Sequence, residues 1–113
     1  MKEICLDGRV MFVSATDDRG VVGADTRLYF RQKGLRVFAR YHGGYVRRGS
    51  LVGGISGSEL AFRYTQVETS GQVHGGSSVC ELQQGEDGRV RVLEHFTWRT
   101  RNGSGTNVFD ELR

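Results

Sequence analysis

Seventeen glycines and no proline are spread over 113 residues, and the glycines fall between short β-prone runs rather than in one linker. A chain punctuated this way is restricted to short antiparallel strands joined by tight turns. Turn signals stand at Asp7-Gly8, in "TDDRG" (16–20), at Lys33-Gly34, at Gly43-Gly44, in "SGS" (56–58), at Ser70-Gly71, in "EDG" (86–88) and in "NGSG" (102–105). No window longer than a turn carries an apolar stripe at i, i+3, i+4 and i+7, so no substantial helix is expected to cover a sheet face. A sheet with nothing to cover it must cover itself. The fold class expected is all-β, one domain over residues 1–113. Its architecture would be an antiparallel up-and-down meander barrel of about eight to ten strands, filled by side chains or holding one small ligand. An open sandwich of two sheets is the alternative.

Alternation along the strands predicts the interior. From Arg89 to Arg99, Val90, Val92, Glu94, Phe96 and Trp98 share one face, and Glu94 therefore lies among apolar and aromatic residues. From Ser58 to Thr69, the face holding Leu60, Phe62, Tyr64, Gln66 and Glu68 is the expected interior. Leu35, Val37, Ala39 and Tyr41 are weighed as inward against Arg36, Phe38, Arg40 and His42, with the facing of Arg40 left open. In the glycine-rich run from Tyr45 to Ile55, either Arg47 or Arg48 is expected to face in. A buried carboxylate without partners neutralises or demands a cation and hydrogen bonds. Glu94 is accordingly read in one of two ways. It forms a structural pair with Arg47 or Arg40, or it lines a pocket with Tyr64, Gln66 and Trp98, flanked by Phe62 and Phe96, suited to orienting one small ligand. Proton transfer by Glu94 and Tyr64 is a special case of the second.

Other function classes lose weight. The net charge of +3 and the pI of about 9.2 argue solubility before they argue a partner. Acidic residues are interspersed with the arginines along the sequence, so nucleic-acid binding is not favoured, although Tyr29, Phe38 and Tyr45 could offer stacking rings. Cys5 and Cys80 are far apart and outside any CxxC context, which suits reduced thiols. His42, His74 and His95 show no metal-ligand spacing, and neither a metal nor a cofactor is expected. Phosphate-binding loops and the GxSxG elbow are missing. No apolar run of about 18 residues and no signal-peptide core is visible, so a cytoplasmic protein without membrane contact is expected.

The runs "YHGGYVRRGSLVG" (41–53), "LAFRYTQVETSGQVHGGSSVCEL" (60–82) and "GRVRVLEHFTWRTRNGSGTNVFDEL" (88–112) together resemble a family of small single-domain bacterial proteins, mostly uncharacterised. Members often carry an automatic N-acetylglutamate synthase label. The resemblance implies a streptavidin-like or lipocalin-like, calycin-type barrel and leaves out the first 34 residues. The label finds no support in the residues, because acetyl-CoA transfer in the familiar acetyltransferase fold uses a glycine loop leading into a helix N-terminus. The expected function is a barrel that binds a small molecule, acidic or aromatic, an acidic group meeting an inward arginine. The alternatives are a barrel enzyme of the isomerase or cyclase type using Glu94 and a homodimeric interaction module.

Overall fold

The computed structural model describes residues 4–17 and 21–112; the last three residues of the "TDDRG" turn lie outside the described residues. Eight strands are formed: β1 (Val10–Thr16), β2 (Arg27–Lys33), β3 (Arg36–Gly43), β4 (Val46–Ser56), β5 (Glu59–Glu68), β6 (Val73–Gln84), β7 (Val90–Trp98) and β8 (Ser104–Glu111). Every neighbour in sequence is an antiparallel neighbour in space, and β8 returns to β1 to close the barrel. This is the all-β up-and-down barrel expected from the glycine punctuation, with no helix among the described residues. Gly34, Gly57 and Gly88 take positive φ in the turns that follow β2, β4 and β6, a conformation open to glycine at no steric cost.

The two ends of the barrel are filled differently. At the end bearing the β2–β3, β4–β5 and β6–β7 turns, Phe30, Val37, Ile55, Leu60, Leu82 and Val90 are buried, and Leu6 from the segment before β1 joins them. That segment is held by Gly8 N–H donating to Phe30 O and Phe30 N–H donating to Arg9 O. The opposite half holds the buried polar residues and the other inward rings, among them Tyr41, Tyr64, Phe96, Trp98 and Phe109.

Alternation places Val37, Ala39 and Tyr41 inward and Arg40 outward; Leu35 sits in the turn and is exposed. Neither Arg47 nor Arg48 faces in. The β4–β5 register shifts between Val46 and Arg48, so both arginines fall on the outside while Val46 and Leu51 stay buried. A bulge inserts one residue and breaks the two-residue period on which the sequence expectation rested.

Glycines at inward positions lie beside aromatic rings. Gly49 pairs with Tyr41, Gly76 with Tyr64 and Gly105 with Phe96. A Cβ at any of these glycines would run into the ring of its cross-strand partner. The rings therefore occupy space that a side chain on the adjacent strand would take, and this fixes where they sit inside the barrel.

Candidate functional site

A cavity of about 40 Å³ lies inside the barrel, in the half holding the buried polar residues. Tyr64 and Gln66 reach it from β5, Glu94, Phe96 and Trp98 from β7, Asn107 and Phe109 from β8, and Tyr41 from β3. Leu28, Leu51 and Phe62 add apolar wall, and Val21 and Val22 contribute from the β1–β2 connection. The space suffices for about three waters, far below the roughly 300 Å³ of an ordinary ligand pocket.

Two polar chains run through this half. In the first, Tyr41 Oη donates to Gln66 Oε1 at 2.8 Å, Gln66 Nε2 donates to Glu68 Oε2 at 3.0 Å, and Arg101 Nη2 donates to Glu68 Oε1 at 2.7 Å. The guanidinium of Arg101 also lies over the Trp98 ring, 4.6 Å from its centroid. In the second, Thr16 Oγ1 donates to Asn107 Oδ1 at 2.6 Å, Asn107 Nδ2 donates to Glu94 Oε1 at 2.8 Å, and Ser78 Oγ donates to Glu94 Oε2 at 2.6 Å.

Glu94 is thus satisfied by a hydroxyl and an amide. The arginine pair expected from the sequence is not made there, because Arg40 and Arg47 are both on the outer surface. The arginine–carboxylate pair at this end joins Glu68 to Arg101. Burial pushes the Glu94 carboxyl above the ordinary range, and its bonds to Ser78 and Asn107 offset only part of that rise. Burial would also raise Glu68, but its bonds to Arg101 and Gln66 hold that carboxyl below the ordinary range. Burial, with the Glu94 charge adding to it, pushes the Tyr41 and Tyr64 phenols up, so both keep their protons at neutral pH.

The Tyr64 hydroxyl stands apart. It is the one buried side-chain polar atom without a hydrogen-bond partner among the described residues, on a side chain only 7% exposed. Its ring is held by edge contacts to Phe62 and Trp98 at 6.3 and 5.4 Å between centroids.

Of the residues singled out in sequence, Tyr64, Gln66, Glu94, Phe96, Trp98 and Phe62 come together around the cavity, and Arg40 and Arg47 do not. Ser78, Asn107 and Tyr41 were not singled out as site residues. Asn107 shares a face with Phe109, and Ser78 with Cys80 and Leu82, so alternation carried the signal.

No curated protein and no solved structure matches the chain. The family model for "Avidin-like protein" matches residues 4–112, including most of the amino-terminal segment that the sequence resemblance leaves out. That match takes in all eight strands and every residue around the cavity, and the chain belongs to the avidin-like protein family.

Proposed function

We propose that the protein is a small-molecule-binding barrel whose ligand enters the cavity beside Glu94 and hydrogen-bonds to Tyr64. The observation carrying this reading is the unpartnered Tyr64 hydroxyl in a cavity where Tyr41, Gln66, Glu94 and Asn107 are already bonded to protein groups. An unmet buried hydroxyl costs about 1–3 kcal/mol, and a ligand that pairs with it recovers that cost on binding.

The walls set the ligand's chemistry. Phe62, Phe96, Trp98 and Phe109 favour an unsaturated or aromatic body. With no arginine facing inward on β3 or β4 and two carboxyls buried nearby, a neutral ligand suits the interior better than an anion. The small volume favours a single ring, with Val21 and Val22 giving way as it enters.

A thermal-shift series with phenol and pyridine tests this. The wild type should gain stability with fragment concentration, as mass action requires, and Tyr64→Phe should lose roughly a factor of five to ten in affinity. Equal responses from both proteins would remove Tyr64 from the site. A catalytic reading draws on the raised Glu94 carboxyl, which in its protonated form could act as a general acid. Glu94→Gln that binds a fragment as well as the wild type but fails to convert a candidate substrate would favour that reading.

A further inference from the structure

The interspersion of acids with arginines does not extend over the middle of the chain, and the sheet gathers that stretch on one side of the barrel. Residues 27–68, which build β2 to β5, hold eight Lys or Arg and two Asp or Glu, a net of +6 in a chain whose total is +3. One of those two acids, Glu68, is buried and paired with Arg101, so Glu59 is the only acid exposed on these strands. Glu81, Glu86, Asp87, Asp110 and Glu111 lie on β6 to β8 and their turns, where Asp87, Asp110 and Glu111 pair with Arg89, Arg91 and Arg9, while Asp17 and Asp25 lie in the β1–β2 connection and Asp7, before β1, pairs with Arg31 of β2.

On the basic face, Lys33, Arg36, Arg40, Arg47, Arg48 and Arg63 are exposed and make no side-chain hydrogen bond or ion pair among the described residues. Aromatic rings lie between them. Tyr29 pairs across the strands with Arg40, and the row Arg31, Phe38, Val52, Arg63 runs from β2 to β5. Tyr29 is 43% exposed and stacks on His42 at 5.6 Å, and Val52 beside Phe38 is 56% exposed. A surface cleft of about 710 Å³ runs along Tyr29, Lys33, Phe38, Arg40 and Val52, and the one carboxylate that lines it, Asp7, is taken up by Arg31 at 3.3 Å. Successive residues on this face stand about 7 Å apart along a strand and about 5 Å apart across strands, so each ring has a guanidinium within reach.

We propose that the outer face of β2 to β5 binds single-stranded nucleic acid, with phosphates on the unpaired arginines and bases against Tyr29 and Phe38. Cations alone would suit any polyanion. Accessible rings interleaved with unpaired arginines suit a strand whose bases are free to stack, and a duplex keeps its base faces to itself. A second copy of the chain, docked face to face by a two-fold axis, would set these cations against their own images. The barrel interior plays no part, so this surface stands or falls separately from the cavity.

The test is fluorescence anisotropy of a labelled oligothymidylate of about ten nucleotides on the whole protein, across a salt series. We expect binding that weakens with salt, a shallower salt dependence in Arg40→Gln/Arg63→Gln, and about tenfold weaker binding in Phe38→Ala with the salt dependence retained. Arg91→Gln removes one charge from the opposite side, where Arg91 is paired with Asp110, and should bind as the wild type does. No binding at about 50 mM salt would overturn the proposal. So would equal loss from Arg91→Gln, binding of a duplex as tight as that of the single strand, or phosphatidylserine vesicles displacing the oligonucleotide. Sedimentation showing a dimer that the Phe38→Ala change dissolves would assign the face to self-association and overturn it as well.

Discussion

Glu94 sits on β7 with two donors and no cation, and this sets a pH dependence. Its carboxyl is raised by burial, so the folded protein holds the proton more tightly than the unfolded chain does. The stability this contributes is fully present below about pH 4.3, the ordinary carboxylate value, and is lost as pH rises toward the raised folded value. Asp110, held low first by its bond to Arg91, contributes in the opposite sense and is lost as pH falls. Glu94→Gln should therefore lie furthest above the wild type in melting temperature at neutral pH and lose that advantage toward pH 4. A constant offset across that range would mean that Glu94 does not titrate with folding. That Glu94 points inward was legible from alternation alone. That Ser78 and Asn107 meet it was not, because Cys80 and Asn107 are its cross-strand neighbours only in the register that folding selects.

Glycines shape the strands by what they leave out. At Gly49 an added Cβ would strike the Tyr41 ring, and at Gly76 it would strike both the Tyr64 ring and the Thr97 carbonyl. Gly54 faces outward, with nothing nearer than 3.6 Å. Gly49→Ala should lose about 1–3 kcal/mol by overpacking and displace Tyr41 from Gln66; Gly76→Ala should lose at least as much, since backbone cannot swing aside. Gly54→Ala should fall within about 0.5 kcal/mol of the wild type. Urea unfolding of the three variants checks the order, and equal losses would contradict the ring-on-glycine account. In the glycine-rich run 45–55 alternation left either Arg47 or Arg48 facing in, and the bulge at its start puts both outside. A period of two cannot register one inserted residue, so the Arg47 and Arg48 facings were lost with it.

At the scale of the barrel, closure depends on β1, which pairs with β8 over much of its length but with β2 through only three residue pairs, Val10 to Tyr29, Met11 to Leu28 and Phe12 to Arg27. The Arg9 side chain anchors the start of β1 on its β8 side, donating to Glu111 Oε1 at 2.7 Å, to the Gly88 carbonyl in the β6–β7 turn and to the Cys5 carbonyl. Arg9→Ala should cost about 1–2 kcal/mol, mostly from lost hydrogen bonds to carbonyls, since a pair this near solvent is weakened by screening. Amide exchange should then quicken in β1 before it does in β5. The barrel was legible because strands without helices must close or stack; the excess of cations over residues 27–68 is also present in the sequence, and what the rolled sheet adds is which of them share an outer face. The most direct test of the central claim, that the cavity beside Glu94 is a ligand site, is a phenol titration followed by the side-chain amide and indole NMR signals of Gln66, Asn107 and Trp98. Saturable shifts of all three that weaken in Tyr64→Phe are the predicted result. Signals that stay in place while phenol perturbs only outer-surface residues would contradict it.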